Sequence, residues 1–293
     1  SWVWTGLEGE DSQYQKLREV DTRSLVLSLQ SHGIRVLGSS IIGMENHTPE
    51  NISQIIDYAV SHDTDFHQFM LYTPLPGTQL YEKHRTNGTL LSESELPAAD
   101  VHGQYRFNYR HRHIQEGQEE QFILDAFCRD FEVNGPSLLR LIRTTLNGWQ
   151  KYKNHPDKRI QRRFARNAKT LRTTYAGAVW AMKKWYQDDE RILEKTDELL
   201  ERLCQEFGWR TRIFAALSGM YLYYTLKREE ERLANGWVYE PNSFYEKNAS
   251  AQALEHGRVS PSPHPTPTVQ WVPGEFSPVL GRIRTRELDS KRC

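Results

Sequence analysis

Short apolar runs alternate with helix-period segments through the first third of the chain. The runs are Trp2-Val3-Trp4-Thr5-Gly6-Leu7-Glu8, then Ile34-Arg35-Val36-Leu37-Gly38-Ser39-Ser40-Ile41-Ile42-Gly43, then Asp65-Phe66-His67-Gln68-Phe69-Met70-Leu71. Each is rich in β-branched or aromatic residues, and the pattern predicts strands buried on both faces. Between them, Thr22 to Ser31 and Pro49 to His62 carry helical spacing. Asp21-Thr22 and Thr48 are predicted N-caps, and Gly33 is a C-terminal stop. Strand, helix, strand, helix, strand predicts parallel β-α-β units joined by right-handed crossovers. Ligands of such sheets sit at the carboxyl ends of the strands. Here those ends are Gly6-Leu7-Glu8, Gly43-Met44-Glu45 and Tyr72 to Thr78.

From Gln115 onward the period is helical. Stripes run through Phe122, Ile123, Ala126 and Phe127, through Leu138 to Trp149, from Arg159 to Trp185, from Asp188 to Phe207, and from Thr211 to Leu233. Breaks fall at Asn134-Gly135 and Asn154-His155-Pro156. Ser260 to Pro267 alternates proline with small or polar residues, which excludes a helix or central strand and predicts an extended linker. The expected organisation is residues 1–113 as an α/β unit with a lid loop, 114–248 as a helical domain, and 249–293 as a disordered tail.

Composition narrows the function classes. The 293 residues carry 38 basic and 38 acidic side chains, so no global field steers the chain toward nucleic acid or a membrane. No run approaches the roughly 20 apolar residues of a membrane span. Three scattered cysteines, Cys128, Cys204 and Cys293, make no disulfide framework. That usage fits a reducing, cytoplasmic setting. The charge is nonetheless unevenly placed. Eleven bases and one acid lie between Arg140 and Arg172, and eight acids against three bases lie between Asp188 and Glu206. Two neighbouring helices of opposite sign are expected to face each other; the other reading is a basic surface that holds nucleic acid or an acidic partner.

Candidate chemistry concentrates at the strand ends. Glu8 is placed to accept hydrogen bonds from a ribose diol or an ammonium group. His67 and Gln68 are polar residues inside an apolar strand, pointing to opposite faces, and need partners or a ligand. His102 lies in a loop expected to cover the mouth of the fold, so it is a further substrate-contact candidate. His111-x-His113 would need a third donor, Asp100 or His102, and Glu45-x-His47 offers only two residues, so no metal site is assigned.

Three strand-end motifs carry a family resemblance. Trp4-Thr5-Gly6-Leu7-Glu8 with Tyr14-x-Lys16, then Gly33-Ile34-x-Val36-x-Gly38-Ser39-x-Ile41-Ile42-Gly43, then Tyr72-Thr73-Pro74-x-Pro76-Gly77-Thr78-x-Leu80-Tyr81, come in an order and spacing that resembles the radical S-adenosylmethionine enzymes. The subgroup carrying a cobalamin-binding domain matches best. The resemblance implies the second half of a partial (β/α) barrel, with Glu8, Gly38, Ile41 and Gly43 shaping the nucleotide pocket. It implies S-adenosylmethionine, a 4Fe–4S cluster and, in the parent protein, cobalamin-linked methyl transfer or related C–H chemistry. The chain departs from the family in one respect: it has no C-x3-C-x2-C triplet to hold the cluster. The expectation is therefore a fragment whose partner is the missing half of its own barrel and which is inactive alone. The alternative is a binding module that uses the basic helix.

Overall fold

The computed structural model describes residues 1–7, 20–92, 94–96 and 105–236. The chain divides into two compact units, Ser1–Thr225 and Leu226–Cys293. The boundary expected between 113 and 114 falls inside the first unit, and the tail expected over 249–293 lies outside the described residues.

Strands β1 (Trp2–Gly6), β2 (Arg35–Ile42) and β3 (Phe66–Leu71) form one sheet in the order β1-β2-β3. Both pairings are parallel, with Thr5 opposite Gly38 and Ser39 opposite Gln68. Helix α1 (Thr22–Ser31) joins β1 to β2, and α2 (Ile52–Val60) joins β2 to β3. Asp21 caps α1 by accepting the Ser24 N–H at 3.1 Å, as its sequence predicts. Helix α2 starts three residues later than its Thr48-Pro49 signal. Asn51 Oδ1 accepts the Thr48 N–H at 2.8 Å, and residues 49–51 form a turn ahead of the helix.

The strands differ from the prediction in one respect. They are buried on one face, not two. Val36, Ile42, Phe69 and Leu71 are buried, while their neighbours in the alternate phase are only half-buried or exposed. The reason is that α2 and α4 (Gln118–Asn134) pack on the same side, where Ile52, Ile56, Ala59, Val60, Ile123 and Ala126 meet Ile42, Phe69 and Leu71. Leu7, Val26 and Val36 continue that layer under α1.

A helix α3 (Gln79–Thr86) follows the sheet, and the helical part follows α4 as α5 (Ser137–Tyr152), α6 (Lys158–Thr170), a π-helical turn Leu171–Tyr175, α7 (Ala176–Trp185), α8 (Glu190–Phe207) and α9 (Trp209–Ala234). Leu139, Ile142, Leu146, Leu171, Val179, Leu199 and Leu203 form its core. Polar ties fix α4 and α5 to each other and to the sheet unit. Arg140 and Asp130 form a buried bidentate pair at 2.6 and 3.0 Å. Arg143 meets Asp63 at 2.7 Å, and Asn134 Nδ2 donates to Val60 O at 2.8 Å. None of the described helices is long and apolar enough to cross a membrane.

Candidate functional site

The uncovered sheet face is the candidate site. It carries Trp2, Trp4 and Gly6 from β1, Arg35, Leu37, Ser39 and Ile41 from β2, and Phe66, Gln68 and Met70 from β3, because these residues share one phase of the register. At the amino ends of the strands the helical part closes this face. Arg35 donates to Thr145 Oγ1 of α5 at 3.0 Å, and Phe66 packs against the helical core. The face opens near the carboxyl end of β2, where Ile41 is 41% exposed, and along the edge strand β1, where Trp4, level with Leu37 and Phe66, is 66% exposed. Diagonally across the β2–β3 pair from Ile41 stands Gln68, whose Oε1 is buried and has no hydrogen-bond partner among the described residues. An apolar surface bordered by a glutamine with an unpaired acceptor can hold the flat face of a heterocycle and, once that side chain turns toward the face, accept one of its N–H groups.

The loop after β2 is held in place from the opposite side. Gly43 has φ +82°. Its N–H donates to His47 Nδ1 at 3.0 Å, and its carbonyl accepts the Tyr109 hydroxyl at 3.0 Å. His111 Nε2 lies 3.1 Å from Met44 O, and Asn108 Nδ2 donates to Pro74 O at 2.7 Å. Residues 105–114 thus strap the ends of β2 and β3 together. Burial lowers the pKa of His47 to about 4, assisted by the neighbouring His111, and burial also pushes the Tyr109 hydroxyl up. His111 Nδ1 accepts the N–H groups of His113 and Ile114 at 3.1 and 3.0 Å, so the ring is neutral with its proton on Nε2.

The residues singled out in the sequence divide between these two sides. Ile41 and Gln68 lie on the open face, in strands paired directly with one another. Gly38 faces the covered layer, where a Cβ would come within 2.5 Å of Leu7 Cδ1 and 2.8 Å of Thr64 Cγ2. Gly43 needs its missing side chain for the Phe107 ring, 2.2 Å from where a Cβ would stand. His67 also faces the covered layer. It shares a 3.0 Å hydrogen bond with Ser40 Oγ and stacks on Phe69 at 3.9 Å. Burial lowers its pKa to about 4. Glu8 and His102 lie outside the described residues. Sequence reading did not single out Trp4, Tyr109 or Asn108. An exposed indole in a strand is invisible until the covering layer is known, and the strap contacts span 34 to 67 residues of sequence.

Comparison with known proteins adds one relative. Over 67 residues the chain is 39% identical to the "Uncharacterized methyltransferase PH0819" of Pyrococcus horikoshii. The likeness is to a methyltransferase. It covers 23% of this chain and 15% of that protein, so the chain spans only a small part of the relative's length. No family model matches the chain. No solved structure matches it.

The donor chemistry bears on the implied cofactors. Cys128 lies in α4 and Cys204 in α8, and no three His, Cys, Asp or Glu side chains converge among the described residues. These residues do not fit an iron–sulfur cluster. The open face places Ile41 and Gln68 on directly paired strands.

Proposed function

We propose that this chain is one part of an S-adenosylmethionine-dependent methyltransferase of the radical, cobalamin-linked type, and that its open sheet face forms one wall of the nucleotide pocket. The observation that carries the reading is the uncovered carboxyl-terminal half of a parallel sheet. There an exposed Ile41 stands next to the buried, unpaired acceptor of Gln68. The strand-end motifs and the short likeness to a methyltransferase both support it. A barrel sector accounts for strands stepping in one direction with their helices on one side. S-adenosylmethionine, when bound, supplies the methyl group. On this wall Ile41 packs against the adenine and excludes water from its face, Gln68 orients the base, and the strap holds Gly43 and the following loop in register.

Equilibrium dialysis of the purified chain against labelled S-adenosylmethionine tests the proposal. Binding is expected, weakened about tenfold by Ile41→Asp and left nearly unchanged by Ile41→Val, tenfold being about 1.4 kcal/mol. Absence of binding, or equal binding by the two variants, would remove the open face as a nucleotide wall.

A further inference from the structure

Of the basic stretch, α5 packs against the acidic helix α8, whereas no ion pair joins α6 to α8 among the described residues. Among the described residues Lys153–Glu206, at 2.6 Å, is the one ion pair between the stretch and α8. Arg140 and Arg143 turn inward to Asp130 and Asp63. Lys151, on α5, lies 2.8 Å from His32 Nε2. The other seven cations, Lys158, Arg159, Arg162, Arg163, Arg166, Lys169 and Arg172, belong to α6 and the π-helical turn, and all seven are exposed. No acid interrupts them. Arg159 is tied to Asp157 at 2.9 Å, whereas Arg162, Arg166, Lys169 and Arg172 have no ion pair among the described residues. At about 100° per residue the seven fall within about half of the helix circumference, along about 16 Å from Lys158 to Lys169. The other half docks on α5, where Phe164 stacks on Tyr152 at 4.7 Å. The result is a one-sided cationic ridge on a chain of zero net charge.

The ridge leads to an aromatic surface. Arg163 reaches the Ser1 hydroxyl, at the start of β1. The next residue, Trp2, carries the Arg35 guanidinium 5.4 Å above its ring. Trp4 follows on the same face, about 10 Å along the strand from Ser1. Its indole is the most exposed residue of the sheet. Cations alone would suit any polyanion. Cations leading to an exposed indole suit a polyanion whose planar groups are free to stack, which a duplex does not offer. Five of the seven cations are arginine, whose fork matches phosphate oxygens in pairs.

We propose that the α6 ridge binds the phosphate backbone of a single-stranded nucleic acid and that Trp4 stacks one of its bases. The ridge lies apart from Ile41 and Gln68; Trp4 shares their sheet face but stands on β1, level with Leu37 and Phe66, and its stacking role does not depend on methyl transfer.

Fluorescence anisotropy of a 5′-labelled 20-nucleotide oligouridylate with the full chain reads the proposal. With about four phosphates neutralised, affinity is expected to fall about fiftyfold between 50 and 200 mM salt. The triple variant Arg162→Glu, Arg166→Glu, Lys169→Glu is expected to lose binding and the salt dependence. Arg210→Glu with Arg212→Glu, outside the ridge, is expected to keep both. Trp4→Ala is expected to weaken binding about tenfold while leaving the salt slope unchanged. All substituted positions are exposed, and a thermal melt confirms folding. No binding at 50 mM salt, or equal loss in the ridge and control variants, overturns the proposal. Equal affinity for a duplex, or for phosphatidylserine vesicles, overturns the single-strand assignment.

Discussion

Gly43 combines a φ of +82° with a position where a Cβ would sit 2.2 Å from Cζ of Phe107. Two penalties therefore add at one residue: a left-handed backbone and a steric overlap in the buried strap. Gly43→Ala is expected to cost about 2 kcal/mol or more, read as a lower urea midpoint. Phe107→Leu in the same background is expected to recover the steric part but not the backbone part. His67 shows a different economy at the same scale. It is neutral in the fold because burial lowers its pKa to about 4. The unfolded side chain titrates near 6.5. The contribution is thus complete above about pH 6.5 and is lost as pH falls from there through about 4. His47 adds in the same direction. Chain stability is expected to drop between pH 7 and pH 5, with His67 alone accounting for on the order of 1–2 kcal/mol. His67→Leu, whatever its stability at pH 7, is expected to show a smaller drop. An identical drop in urea titrations at the two pH values would refute the burial account.

At the scale of elements, α4 and α5 are joined at a corner by one buried ion pair. Arg140 is 2% exposed, and its guanidinium also donates to Ser137 Oγ at 2.9 Å while Asn134 supports Asp130 at 2.9 Å. Removing one partner leaves a desolvated charge. Asp130→Ala is expected to cost about 3–5 kcal/mol, and the double change Asp130→Leu with Arg140→Met to recover most of it. Guanidinium titration of the single and double variants decides this. In the sequence Arg140 reads as one more member of a basic stretch, since charge counting cannot see that its helix turns that side chain inward. The strands teach a similar lesson. Their apolar content reads as burial on both faces, yet Trp2, Trp4 and Ile41 keep large exposed surfaces. Type and order of these elements were legible from spacing and turn residues, which are local properties. Which face is covered depends on where α2 and α4 dock.

At the scale of the molecule, the distribution of cysteines limits what the chain does unaided. Cys128 and Cys204 stand in separate helices, and no C-x3-C-x2-C triplet exists anywhere in the sequence. After reconstitution with iron and sulfide the purified chain is expected to release no 5′-deoxyadenosine from S-adenosylmethionine. Robust release, measured chromatographically, would show that the donor set has been misjudged.

The sequence by itself determined the alternation of strands and helices, the parallel pairing that follows from it, the helix cap at Asp21, and the presence of a dense cationic segment. Those features rest on periodicity, backbone preference and charge, all of which act over a few residues. Only the tertiary structure decided that His67, Gly38 and Gly43 serve the covered side while Ile41 and Gln68 face outward. It also separated the inward arginines, Arg140 and Arg143, from the exposed ridge of α6. These assignments depend on contacts between residues far apart in the chain, and the docking of whole helices selects which of two equivalent faces becomes the core.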